Sequence, residues 1–488
     1  MKTKLKDVFI DIISGEWGDE DVEGTGVPII RTTNFTKDGR INYSNLEYRL
    51  ITKKIKSKKG EVVKKIDKEK IEKKKLFDED IIIEKSGGGI GSPVGRVVYF
   101  ISPDNKTYLC NNFTQVLRVN KSTVLPKYVF YFLKYLYDKG TVLKYQNQTT
   151  GLFNLKLDRY LEEEIFIPNL DIQHLIVTQL DTIQKLIDNR SNSIGILDEL
   201  IKSIYIQTFG NPIENPMSWE KKKLSDLGDW KSGGTPDTSL EEYYIGDIPW
   251  YTSGELGDIY ISESKKKISD LGIKNSNAKK IPSNSLLIGM YDTAAFKLSI
   301  VKKESSCNQA ILYSKLDEDY YTLFVYYTLF LSKKYYLSKR KGARQKNLNA
   351  TFIKNIEIIY PTSKKGKGLI KEFYKWFSIW IEQKNNLEIS IGVLTKLFEA
   401  QLQNTFKDKA EIDEEPIFRE LMKRFTVTEL KGNKQRLLYL LNLFAENKFD
   451  NTDDYGYAKG ILFELINLRE IEQKIIDDKI GLVLNEIN

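Results

Sequence analysis

Two stretches, IQHLIVTQLDTIQKLIDNRSNSIGILDELIKSIYIQT (172–208) and LIKEFYKWFSIWIEQKNNLEISIGVLTKLFEAQLQNT (369–405), carry one pattern of apolar side chains twice. In the first, apolar residues recur at Ile176, Leu180, Ile183, Ile187, Ile194, Leu197, Ile201 and Ile204, with a break at Arg190. In the second they recur at Phe373, Phe377, Trp380, Leu387, Ile391, Leu394 and Phe398, with a break at Lys384. An offset of 197 residues superposes the two registers. Steps of four and three held over about four heptads are the mark of a coiled-coil seam. Neither stretch contains proline, and each 37-residue helix would run roughly 55 Å at about 1.5 Å per residue. Two amphipathic helices in separate cores would also fit. The matched length and register favour one helix packing against the other.

The duplication extends beyond these rods. Lys4-Leu5-Lys6-Asp7 is answered by Lys223-Leu224-Ser225-Asp226, Ser14-Gly15 by Ser232-Gly233, and Val27-Pro28-Ile29 by Ile248-Pro249-Trp250. Asn111-Asn112 is answered by Asn308-Gln309. Each half then shows an aromatic-rich helix (126–138 and 320–338) and a polar glycine loop, TTGLFNL (149–155) or GARQKNL (342–348). A short strand ending in proline follows (165–168 and 356–361), and then the rod. Self-similarity at about 200 residues means two copies of one domain. Short β-rich runs bounded by Gly, Pro, Asn and Ser at 80–84, 94–101, 114–119, 285–290 and 310–314 predict a mixed sheet with a few helices. The expected class is α+β, two similar mixed-sheet domains separated by a pair of long antiparallel helices. The expected boundaries are domain one at 1–170, rod one at 171–209, domain two at 216–367 and rod two at 368–406. An acidic helical extension follows at 410–488, where sixteen acidic residues outnumber eleven basic ones.

With 41% hydrophobic residues the chain can bury real cores, and no apolar run is long enough for a signal peptide or a membrane span. Cys110 and Cys307 lie far apart without metal-ligand spacing, and His174 is the only histidine. A cytoplasmic protein without a disulfide framework or a cysteine-based metal site is expected. The net charge of +8 is concentrated at 53–75, where twelve lysines face four acidic residues. Such a run is either a solvated face or a phosphate-contacting one.

The stretch DWKSGGTPDTSLEEYYIGDIPWYTSGEL (229–256) resembles the opening of a target-recognition domain in type I restriction–modification specificity subunits. Asn308-Gln309, the loop Gly342-x-x-Gln345-x-x-Leu348 and the proline-ended strand before the rod resemble the same family. The first half matches more loosely, with Ser14-Gly15 and the shorter Gly151-x-x-Asn154-Leu155. The resemblance covers about 1–406. It implies a non-catalytic DNA-binding subunit that places two methyltransferase subunits, with endonuclease/translocase subunits, on a bipartite, asymmetric double-stranded site. S-adenosylmethionine, Mg²⁺ and ATP would then belong to those partners.

Sequence readers are Arg, Lys, Asn and Gln at base edges, and phosphate contacts come from cations and backbone amides. SKKYYLSKRKGARQK (332–346) has seven cations and no acid, so Arg340, Lys341, Arg344 and Lys346 are candidate phosphate contacts, with Gln345 beside them. A solvated helix end would also favour those charges. The equivalent loop of the first half offers Gln146, Gln148 and Thr149, which either read adenine or cap a turn. Arg31, Thr32 and Asn34 match Tyr251, Thr252 and Ser253 after the two Pro strands. Lys53 and Lys54 open the lysine run. Ser86 and Gly87 begin a glycine run that either approaches a phosphate or forms a hairpin turn, and Tyr291 holds the matching place. The rival reading is a stand-alone Mg²⁺-dependent restriction nuclease built on Asp237, Glu263 and Lys265. Asp237, however, sits where a turn-forming Asp is expected.

Overall fold

A computed structural model describes residues 2–56, 62–88, 92–149, 152–291, 294–339, 348–407, 441, 459–462, 464–465, 471–476 and 479–484. The two rods are single helices, Leu170–Phe209 and Lys364–Phe406. The chain forms two compact units, 1–185 with 395–488 and 186–394, so each unit holds a stretch of both rods.

In the first unit the core sheet runs in the order Val97–Tyr99, Ile81–Glu84, Thr114–Val119, Phe9–Ser14, all antiparallel. A second sheet orders Leu109–Cys110, Val27–Ile30, Glu47–Leu50, Asp19–Glu20, its first pair parallel. The second unit repeats this plan. Lys231–Ser232, Ile311–Ser314, Leu286–Gly289, Leu298–Val301 and Tyr260–Ile261 form one sheet, and Lys266–Ile268, Ile248–Tyr251 and Ser306–Cys307 the other. The parallel pair recurs there as Trp250 against Ser306. In both units the opening strand pairs with the proline-ended strand, Lys2–Lys4 with Glu164–Phe166 and Lys221–Lys223 with Glu357–Ile359. The repeated Lys-Leu-x-Asp is in each case a 3-10 turn whose leucine, Leu5 or Leu224, is fully buried.

The aromatic helices Pro126–Asp138 and Asp319–Ser338 close the cores over the rods. In the first unit Tyr131 meets Phe398 edge-on, and Tyr128 and Phe132 meet Phe406. In the second, Tyr205 and Phe209 of the first rod pack on Phe324 and on Phe373 of the second. Rod partners within the first unit include Gln179 and Gln401, whose amides bond at 2.9 Å. Within the second, Asp198 binds Lys384 at 2.9 Å while Tyr205 lies against Phe373. As the first rod advances, its partner on the second recedes, so the helices run antiparallel. Lys384, the break in the apolar seam, thus carries a cross-helix ion pair, and its ammonium lies over the Trp380 ring.

Along the seam, Ile176, Leu180, Ile201, Phe373, Phe377, Trp380 and Phe398 are buried. Ile183, Ile187, Ile194, Leu197, Leu387, Ile391 and Leu394 are half-buried. Two helices alone cannot enclose a seam; burial is complete where an aromatic helix adds a third wall.

The tail departs in part from the expected helical extension. Residues 459–462 and 464–465 are helical, but Ile471–Ile476 and Lys479–Leu484 form an antiparallel hairpin. Its strands are rich in Ile, Leu and Val, which a pleated ribbon accommodates well.

Candidate nucleic-acid interface

The repeated motifs meet in space. Gly15 and Gly233 press against the strand ends at Cys110 and Cys307, and a Cβ at either would lie about 2 Å from a carbonyl oxygen, Asn111 O (1.8 Å) or Cys307 O (2.1 Å). Glycine is therefore required there. Glu16 N–H donates to Cys110 O at 2.7 Å, and Gly234 N–H to Cys307 O at 2.9 Å. In the second unit, Thr235 Oγ1 joins Gln309 Oε1 at 2.6 Å on the surface, tying the Ser-Gly-Gly-Thr-Pro turn to the Asn-Gln pair. Sequence reasoning noted both motifs but not their contact; their shared order in the two halves was the available signal.

After each Pro strand comes the same capped 3-10 turn. Thr252 N–H and Oγ1 donate to Glu255 Oε2 at 2.9 and 2.8 Å, as Arg31 N–H donates to Asn34 Oδ1 at 2.9 Å. Burial alone would raise the Glu255 carboxyl, but hydrogen bonds from Lys265 and Thr252 offset this and hold it below the ordinary value. The turn side chains thus have partners within the protein. Asn34 is buried and donates to Asn42 O and Asn45 O, while Arg31 pairs with Glu47 at 3.0 Å. Tyr251 is buried among Leu256, Ile261 and Leu287. Thr32 and Ser253 are partly exposed and Thr33 is exposed.

The glycine run and the glutamine loop of the first unit, singled out separately, are neighbours in one sheet. Gln146–Thr149 pairs with Leu152–Leu155, which pairs with Ser86–Gly88, setting Asn154 opposite Ser86. Ser86 is buried and bonds Asn154 Oδ1 at 2.5 Å, so its hydroxyl is structural. Gly87 is exposed at φ +113° with open space beside it, which leaves its backbone accessible. Gln146 Oε1 accepts from Val94 N–H at 3.3 Å. Gln148 and Thr149 lie in the strand at the hairpin's end. The second unit keeps the anchor: Leu155 N–H donates to Lys85 O at 2.8 Å, and Leu348 N–H to Met290 O at 2.7 Å, beside the exposed Tyr291. Arg340, Lys341, Arg344, Gln345 and Lys346 lie outside the described residues.

The core sheet of the first unit also carries two bidentate ion pairs, one near each end of its central strands, that sequence reasoning missed. Arg96 grips Glu84 at 2.8 and 3.0 Å, and Arg118 grips Asp80 at 2.9 and 2.8 Å. The Glu84 bond raises the Arg96 guanidinium above its ordinary value despite burial. Nothing in the local sequence links residues twelve and thirty-eight positions apart. Lys53 and Lys54 stand on an exposed hairpin, Thr52–Lys56 with Val62–Ile66.

The residues of the nuclease reading have other partners. Asp237 accepts from Ser239 N–H and Oγ, which lower its pKa, and Glu263 pairs with Lys303 at 2.6 Å. Lys265 donates its backbone N–H to Glu255. Among the described residues no cluster of three His, Cys, Asp or Glu is placed to hold a metal ion, and no helix is long and apolar enough to cross a membrane.

The model of the type I restriction modification DNA specificity domain matches the chain twice, at residues 1–196 and 216–390. The chain belongs to this family. As a member of the type I specificity family it is similar to the HindI specificity subunit of Haemophilus influenzae, 30% identical over 195 residues, 38% of this chain and 42% of that one. The MjaIX specificity subunit of Methanocaldococcus jannaschii is 26% identical over 189 residues, 38% and 43% of the two chains. The chain thus matches less than half the length of either relative. The type I S subunit from M. genitalium shares the fold, with a TM-score of 0.50 over 84% of this chain and 96% of that one at 16% identity.

Proposed function

We propose that the chain is the non-catalytic sequence-specificity subunit of a type I restriction–modification complex acting in the cytoplasm. Each domain reads one half of a bipartite double-stranded DNA site. The observation that carries this is the duplication of one fold with unlike polar segments: the sheet of Gln146–Thr149, Leu152–Leu155 and Ser86–Gly88 in one copy, and Leu348 anchored on Met290 beside Tyr291 in the other. Unlike loops on like scaffolds read unlike half-sites, so the target is asymmetric. The unbroken helices set the unread gap, and a helix of 40 residues is about 60 Å long, more than one duplex turn of about 34 Å.

Two methyltransferase subunits dock on the rods, and endonuclease/translocase subunits join through them. The rods keep a second apolar stripe facing solvent, with Ile196 and Leu200 on the first and Trp376, Ile379, Ile389, Val393 and Leu397 on the second. Exposed apolar residues four apart suit an amphipathic partner helix. S-adenosylmethionine, Mg²⁺ and ATP act on those partners.

Purified alone, the chain methylates and cuts nothing with Mg²⁺ and S-adenosylmethionine; with its methyltransferase partner it confers methylation at one split motif, read by methylation mapping. Magnesium-dependent cutting abolished by Asp237→Ala would establish the nuclease reading instead. Ile389→Glu with Val393→Glu is expected to abolish co-purification of the methyltransferase while leaving helix content intact.

A further inference from the structure

Among the described residues the hairpin Thr52–Lys56/Val62–Ile66 belongs to the first domain alone. In the second domain the strand Lys266–Ile268 runs directly into Ser269, which caps the helix Asp270–Lys274. In the first, the equivalent strand Glu47–Leu50 and the equivalent cap Asp67, which opens the helix Lys68–Lys74, are separated by the hairpin. Its two strands pair only with each other, as a ribbon outside both sheets.

The register sets lysine against lysine. Lys53 stands opposite Lys65, and Lys54 opposite Lys64. Since neighbours in a strand point to opposite faces, each face of the ribbon carries one lysine pair. Like charges directly opposite are destabilising, and a lone two-stranded hairpin is marginal in water. The only carboxylates bonded to these four lysines among the described residues sit at the base: Asp67 lies 3.5 Å from Lys53, and Asp19 lies 2.8 Å from Lys64. Lys54 and Lys65 are exposed and form no hydrogen bond or salt bridge among the described residues, although the Lys54 charge acts on Asp19 from a distance. A ribbon of this charge is completed by a line of anions on its outside, and duplex DNA carries a charge about every 1.7 Å.

We propose that this hairpin is a one-sided clamp on the phosphate backbone flanking the half-site of the first domain, rather than a reader of bases. The proposal rests on the DNA-specificity reading. Lysine supplies a point charge on a flexible stem, which grips phosphate without base discrimination. Among the described residues the second domain has no hairpin at the equivalent position, where Ile268 is followed directly by Ser269, so the footprint extends further outside the first domain's half-site at this point.

The test uses the full chain, co-purified with its methyltransferase partner, and duplexes carrying the mapped target or a scrambled one. Affinity is measured by fluorescence anisotropy between 50 and 200 mM salt. K54Q/K65Q is expected to lower the slope of log affinity against log salt by about 1.8, at about 0.9 per phosphate released. The ratio of target to scrambled affinity is expected to stay unchanged. Hydroxyl-radical protection is expected to be lost only outside the first domain's half-site, and K54E/K65E to deepen both effects. An unchanged slope and footprint would overturn the clamp while leaving the specificity reading intact. A lowered slope in a chain whose wild type prefers no sequence would overturn specificity and leave a phosphate grip. Circular dichroism of the variants separates either result from misfolding.

Discussion

Phe373→Ala removes the ring on which the second unit's rod junction closes. Phe373 is 2% exposed and touches Tyr205, Phe209, Tyr327 and Phe377 at centroid distances of 5.4, 5.8, 5.5 and 6.1 Å. These partners come from the first rod, the aromatic helix and the second rod itself, three elements that cannot collapse together into the cavity. The loss is therefore expected at the level of a poorly relaxing core truncation, about 3–5 kcal/mol, ring-edge contributions included. Because a chain of two units need not unfold in one step, hydrogen exchange is the suitable assay. Amides of Asp319–Ser338 and of the adjoining rod should exchange roughly two to three and a half decades faster, one decade per 1.4 kcal/mol. Amides of Pro126–Asp138 in the first unit should be unchanged. Trp376→Ala, one turn away and 49% exposed, is the control, expected within about 0.5 kcal/mol of wild type. A less than tenfold effect of Phe373→Ala, or an equal one from Trp376→Ala, would refute the assignment of the seam.

Other consequences are equally direct. Arg96→Met leaves the buried Glu84 carboxylate without its bidentate partner and is expected to cost about 3–5 kcal/mol in denaturant titrations, whereas Glu84→Gln with Arg96→Met recovers part of that loss. Burial pushes the Cys110 thiol up to about 11 and raises Cys307 as well, so neither should react with a thiol reagent at pH 8 until the chain unfolds, when two thiols titrate. Hydrogen bonds from Lys4 and Lys6 hold the Glu162 carboxyl at about 2, below its ordinary 4.5. A carboxyl depressed in the folded state stabilises above its ordinary pKa and loses that contribution as pH falls from about 4.5 through 2, so Glu162→Gln should flatten acid unfolding in that window.

The sequence by itself determined the rods, the duplication and the class. Periodicity is a local property: steps of four and three at Ile176–Ile201 and Phe373–Phe398 specify a helix face whatever lies opposite it. The strand at Thr114–Val119 and the helix at Pro126–Asp138 were legible to the residue for the same reason. The tertiary structure alone decided what the polar residues do. Asn34 and Ser86 carry side chains that serve equally as reader or as cap, and only the partner at hand, the Arg31 amide or the Asn154 carbonyl, selects the second. It also decided that the glycine run and the glutamine loop form one sheet, and that the lysine run becomes a ribbon of opposed like charges in one domain only. Register and contact are set by distant chain, and no local pattern encodes them.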